Sequence, residues 1–435
     1  MQLALDSIEI HDAGRYAARG YPWREWDLLR REAPVYWYER EDIEPFWAIT
    51  RHADVLAVSR DARTFINGGP RLRLSTRVGE RMMREGLRGI AIERGWDPDE
   101  APDMVFMDDP RHREFRLLTS GAFTPGKLRD LQSRIDQMAA GFAEEFSHAL
   151  RRETETSPGC DFVREYAIKL PLAAIGDLMG LPPGDWMRVL VWTNALLGDV
   201  HPSYLLAGES SAAATGRAIR EMRSYFDVLM EERRSAGANS GSLVDTLLRA
   251  RVEGAPLTEQ QLHGYLLLLT AAGNETTRNA TTGGVIALLE NADQRDLLCE
   301  RPELIDSAVE EILRWTSPVV QFARTAVKDV EIRGQKIRAG DTVGVFYPSA
   351  NRDEESFEDP YRFDVARKPN HHLAFGHGAH FCLGANLARA ELRAAIRALL
   401  PILPEMELVD RGVRIPNLHV PGYQSLSVRR AGVSH

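Results

Sequence analysis

Two rhythms of hydrophobic and polar positions run along this chain, and the helical one dominates. From Leu128 to Leu150, Ala213 to Arg233, Leu257 to Glu290 and Pro302 to Trp315, apolar residues recur at every third or fourth position, which lines one face of a helix. Pro302 falls where a first helical turn tolerates proline. Leu383 to Leu400, rich in Ala, Leu and Arg, predicts another helix. From Trp26 to Tyr38 the pattern passes from helix to strand, and Phe46 to Thr50 after an acidic turn predicts the second arm of a hairpin. A further β-rich interval spans Val319 to Tyr347, where Val330–Ile332 and Gln335–Ile337 flank Arg333-Gly334 as a short hairpin. Pro348 to His380 is turn-rich, and the small polar run Ser235–Ser242 suits a surface connection. The pattern predicts a mostly α chain with a minor antiparallel β region. No repeat or composition break divides it, so a single domain over residues 1–435 is expected.

Composition narrows the class. Of 435 residues, 44% are hydrophobic and 27% charged, far from the profile of a disordered chain. The net charge of −9 argues against a general nucleic-acid binder, which carries a basic patch or a basic isoelectric point. Three widely spaced cysteines, Cys160, Cys299 and Cys382, imply no disulfide framework and fit a reducing compartment. The start of the chain turns acidic at Asp6, and no segment approaches the roughly 18 apolar residues of a membrane helix. A cytoplasmic protein without a membrane anchor is expected.

The segment richest in chemistry is Phe375-Gly376-His377-Gly378-Ala379-His380-Phe381-Cys382-Leu383-Gly384. It places a cysteine just before a helix, where unpaired N–H groups and the helix dipole favour a thiolate. Gly376, Gly378 and Gly384 let the backbone wrap closely around a flat ligand. Cys160 and Cys299 read as small buried hydrophobes. Cys382 lacks the second Cys or His at a spacing that a tetrahedral zinc site requires. A single thiolate ligand points to haem, where it favours O–O cleavage.

This run, F-G-x-G-x-H-x-C-x-G, resembles the haem-binding signature of the cytochrome P-450 family. The resemblance implies haem b with Cys382 as the axial thiolate and Phe375 and Gly376 beside the cofactor. The helix segment Ala272-Gly273-Asn274-Glu275-Thr276-Thr277 sacrifices helix propensity, Gly alone by about 1 kcal/mol, and puts Ala272 and Thr276 on one face. It resembles the family's oxygen-activation motif, which implies that Thr276 hydrogen-bonds the bound oxygen and Glu275 feeds protons toward it. Glu311 and Arg314, with Arg362 in Asp359–Asp364, resemble the family's structural Glu–Arg–Arg network. His112 and Arg116, one turn apart, together with Arg324 and His380, match its haem-propionate partners.

The likeness runs from the early hairpin to about Val428 and implies the family's single-domain fold. It implies a monooxygenase acting on a sizeable hydrophobic substrate: a sterol, terpenoid, branched lipid or natural-product intermediate. Three cysteines cannot build a four-Cys cluster and no flavin motif is present, so a ferredoxin with its reductase, or a flavodoxin-like donor, is the expected electron source. Arg111, Arg113 and Arg389 are candidates for its docking face. Phe65 to Met107, Leu196 to Glu209 and Trp315 to Phe322 are expected to line the substrate pocket. Two alternatives stand beside this reading: peroxide-driven or non-oxygen-inserting haem-thiolate chemistry, and a haem carrier or gas sensor, which would not need Glu275-Thr276.

Overall fold

The computed structural model describes residues 4–152, 159–196 and 205–432. The helices used below are α1 (Arg111–Ser120), α2 (Pro125–Arg151), α3 (Lys169–Met179), α4 (Trp186–Leu196), α5 (Ser211–Ser235), α6 (Glu259–Glu290), α7 (Ile305–Thr316) and α8 (Ala385–Leu399). Each helix named from the sequence pattern is present, with ends shifted by a few residues. Helix α6 starts at a reciprocal cap in which the Thr258 hydroxyl accepts from Gln261 N–H and the Gln261 side chain accepts from Thr258 N–H. It is buried around almost its whole circumference, as a helix in the middle of a domain must be. Helices α3, α4, α7 and α8 pack on it, and α8 also packs on α2. Close approach of α6 and α7 depends on Gly284, where a Cβ would stand 2.7 Å from an Ile312 methyl.

The β part is a five-stranded sheet of β1 (Val35–Arg40), β2 (Ile43–Ile49), β3 (Phe65–Ile66), β4 (Gln321–Ala326) and β5 (Thr342–Phe346), in the order β1-β2-β5-β4-β3. The early hairpin forms as expected, with Val35 opposite Ile49. One pairing departs from the antiparallel expectation: β5 runs parallel to β2, with Val343 opposite Trp47. The two strands come from distant parts of the chain, so no tight turn dictates their direction. In the Val330–Ile337 hairpin, Arg333 and Gly334 both adopt positive φ (50° and 78°), the conformation of a type I′ turn. In the polar connection after α5, Ala238 is buried rather than exposed, held by the Arg233 carbonyl. No helix among the described residues is long and apolar enough to cross a membrane.

Candidate active site

The cysteine loop is a chain of short backbone bonds. Gly376 N–H donates to the Leu373 carbonyl (2.9 Å), Phe381 N–H to Gly378 (3.1 Å), and Cys382 N–H returns to Phe375 (2.9 Å). Gly376 and Gly378 have φ of 66° and 75°, and a Cβ at 378 would collide with the Ser59 carbonyl oxygen at 2.1 Å, so glycine is required there. Gly384 carries no such constraint: its φ is −85° and nothing lies near it. Cys382 is accessible, yet enough protein surrounds its sulfur to dehydrate it. Burial pushes its thiol up, against the opposing pull of Gly384 N–H, Arg116 and Arg389. For the protein alone, dehydration therefore outweighs the helix-terminus effect expected from the sequence. Cys299 donates to the Leu400 carbonyl at 3.6 Å and Cys160 pairs with Val428 in a strand, consistent with structural roles.

Helix α6 presents a bare patch in a buried environment. Ala272 is exposed and Thr276 half-exposed, although Asn274, Glu275 and every residue from Thr277 to Thr282 is buried. The Thr276 hydroxyl donates to the Ala272 carbonyl (2.9 Å), one turn back. One turn further on, Ala280 packs in the same apolar cluster as Ala374 and Phe375 of the cysteine loop. Glu275 lies about 100° around the helix from Thr276 and points elsewhere. It forms a fully buried ion pair with Arg278, whose other arm reaches Asn194 of α4 at 3.3 Å. The acid expected to feed protons is thus engaged in an ion pair, as a buried carboxylate needs a counter-charge.

A second acid was not singled out from the sequence. Glu391, on α8 nine residues past Cys382, is buried, and burial raises it to about 8, against the pull of the Thr277 hydroxyl. Its other oxygen has no partner. The available signal was its place on the same helical stripe as Leu387, Ala394 and Ala395.

The four basic residues named from separate segments converge. The His112 and His380 rings lie 3.9 Å apart, and Arg116 donates to the Phe381 carbonyl at 2.7 Å. His380 is pushed down to about 2 by burial and by His112, Arg324 and Arg116. Burial also lowers Arg324, against the pull of Tyr347 and Asp108. Of the nearby acids, Asp108 already accepts the Asn67 and Gly68 N–H groups at 2.8 Å, and Asp109 sits 3.6 Å from His112. Two guanidinium groups and two imidazoles gathered this closely, with the nearby acids engaged elsewhere, offer the donors that two carboxylates of a haem would use, beside the Cys382 loop. The residues fit the group.

The Glu–Arg–Arg network exists with a different third member. Arg314 grips Glu311 through two bonds of 2.7 Å, both side chains fully buried. The second guanidinium on Glu311 is Arg367, at 3.2 Å, not Arg362. Arg362 is exposed and contributes its carbonyl, which accepts from Arg314 and Arg367. The turn at Asp359, with φ 44°, carries the side chain of 362 outward and returns the chain so that 367 faces Glu311. Asn370 also donates to Glu311 (3.1 Å).

The supposed docking arginines are similarly redistributed. Arg389 is held by Glu310 through two bonds of 2.7 and 2.8 Å, and Arg111 pairs with Glu100, so of the three only Arg113 is exposed and without an acid partner among the described residues. Intramolecular carboxylates thus cancel charge that the sequence left open. Of the expected pocket segments, residues 197–204 lie outside the described residues.

Known proteins place this architecture. The family model for cytochrome P-450 matches residues 186–401. The chain is 36% identical over 408 residues to a methyl-branched lipid omega-hydroxylase of Mycobacterium tuberculosis, covering 92% of this chain and 89% of the relative. It is 35% identical to a linalool 8-monooxygenase of Pseudomonas putida, over 92% of this chain and 93% of that protein. A Mycobacterium marinum cytochrome P-450 in complex with pseudoionone superposes with a TM-score of 0.84 at 33% identity, covering 98% and 99% of the two chains. A fold and a sequence shared at this level over nearly its whole length, with a glycine-bent cysteine loop packed beside α6, make this chain a member of the cytochrome P-450 family of haem-thiolate monooxygenases.

Proposed function

We propose that this chain binds haem b through Cys382 and oxidises a sizeable hydrophobic substrate, of the sterol, terpenoid, branched-lipid or natural-product type. The observation that carries the reading is the convergence of His112, Arg116, Arg324 and His380 at the Cys382 loop. The bound haem would supply reductive activation of dioxygen and insertion of one oxygen atom into the substrate. Arg116 and Arg324, with the two histidines, would hold its two carboxylates. Phe375 and Gly376 shape the thiol side, and the Ala272 methyl leaves room on the opposite side. Thr276 turns its hydroxyl at the reacting centre by leaving the Ala272 carbonyl. Glu275 delivers protons when its pairing with Arg278 loosens, so proton supply is gated rather than free. Glu311, Arg314 and Arg367 lock α7 onto the segment before the cysteine loop.

The relatives named for lipid and linalool oxidation support a hydrophobic substrate. Electrons come from a ferredoxin with its reductase or a flavodoxin-like donor, in a reducing compartment, and the whole chain works as one cofactor-centred domain. The test is turnover of labelled dioxygen by the purified holoprotein with a surrogate ferredoxin system. Label in the product, and loss of the reduced carbon-monoxide spectrum in Cys382→Ala, are expected. An unchanged spectrum in that variant overturns the reading.

A further inference from the structure

Away from the four-base cluster, the Arg73 guanidinium has a buried Nε that nothing among the described residues holds. Arg73 lies in an extended stretch tied to β4: the Leu72 carbonyl accepts from Ala323 N–H (2.7 Å), and Leu74 exchanges bonds of 3.1 and 3.0 Å with the Gln321 side chain. Leu72 and Leu74 are buried, and Arg73, half-buried between them, makes no hydrogen bond or ion pair among the described residues. Its Nε is buried and unpartnered. Burial lowers it, with Asp103 as the countering charge. Asp103 is not within ion-pair distance; it caps a short helix, accepting Val105 N–H at 2.8 Å.

His419 borders the same spot. Its carbonyl accepts from Val320 N–H (2.9 Å), its ring meets Phe322 edge to face at 4.8 Å, and its Nδ1 is buried without a partner. Burial and Arg73 together hold the ring neutral. Phe322 lies two residues before Arg324 on β4, so the two side chains share a face of the strand that reaches the basic cluster. The segment carrying Asp103 rests on α6 at Gly264, where a Cβ would meet the Pro102 carbonyl at 2.3 Å. Gly264 is two turns before Ala272, about 12 Å along the helix axis.

A dehydrated, unpaired guanidinium is costly to keep, and a carboxylate is the ligand that returns most to it, through paired charge-assisted bonds. We propose that Arg73, beside His419, binds the carboxylate of an amphipathic substrate, leaving its apolar body over Ala272 and directing oxidation to carbons remote from the acid. This rests on the monooxygenase reading above and narrows its substrate to hydrophobic acids.

The test uses the purified holoprotein and follows the haem spin-state shift on titration with hexadecanoic acid, its methyl ester and hexadecan-1-ol, and with lithocholic acid and its methyl ester. On at least one scaffold the acid is expected to bind about tenfold or more tightly than its ester. Arg73→Gln removes that preference while leaving ester binding within about twofold, and Arg73→Lys retains part of it. Acid and ester binding alike in the unaltered protein, no shift from either scaffold, or equal losses for both ligands in Arg73→Gln overturns the proposal. Because the first comparison needs no variant, a misfolded Arg73→Gln does not decide the matter. Absence of the thiolate signature in the reduced carbon-monoxide spectrum is a separate result that overturns the underlying reading instead.

Discussion

Arg278 pairs with Glu275 one turn away on the same helix, with side chains only 1% and 2% exposed. Neither partner leaves this pair cheaply. A buried ion pair adds little over a well-packed apolar pair, but removing one member strands the other charge. Glu275→Ala is therefore expected to lower stability by about 3–5 kcal/mol in urea unfolding. The double variant Glu275→Ala/Arg278→Ala should recover a large part of that loss. Additive losses in the double-mutant cycle would show that the pair is not coupled.

Thr276 has a hydroxyl with an idle partner, the Ala272 carbonyl, and stands on the bare face of α6. Thr276→Ala should keep the fold and the reduced carbon-monoxide spectrum. Product formed per reducing equivalent should drop by about a hundredfold, the low end of the range for a lost proton-transfer group. Thr276→Ser should restore most of it. The ratio of product to NAD(P)H consumed is the measurement.

The two candidate third arginines differ sharply in environment, Arg362 outward and Arg367 on Glu311. Arg362→Ala should shift stability by less than about 0.5 kcal/mol. Arg367→Ala should cost several times more, and Glu311→Ala about 3–5 kcal/mol with loss of haem incorporation. Haem content against total protein, together with thermal unfolding, separates the three variants.

Glu391 provides a pH test. Its native value of about 8 lies above the ordinary 4.5, so between those values the folded state binds more protons than the unfolded one. Stability contributed by the protonated carboxyl is complete below about pH 4.5 and is lost as pH rises toward 8. Glu391→Gln, which keeps a hydrogen-bonding group opposite Thr277, should flatten that decline. Parallel stability-against-pH curves for the two proteins would rule this out.

Much of the architecture was legible because its causes are local. The 3.6-residue stripe, the Thr258–Gln261 cap and the Arg333-Gly334 turn are each decided within a few residues, and helices α2, α6 and α8 appear where the pattern puts them. The parallel pairing of β5 with β2 was not legible, since no short turn joins those strands. Glu391 was hidden because an acid within an Ala/Leu helix looks like a solvated position until the face it occupies is known.

Sequence alone determined which chemistry is present: one cysteine in a glycine-bent loop, an alcohol and an acid in a helix with a deliberate weak point, and basic residues in widely separated segments. Only the tertiary structure decided which charges are spent on one another. It assigned Glu275 to Arg278, Arg389 to Glu310 and Arg367 rather than Arg362 to Glu311, and it left Arg73 with no partner among the described residues. The reason is physical. Whether a charge is available depends on what burial brings within a few ångströms of it, and those neighbours come from parts of the chain whose separation in sequence carries no information about their distance in space.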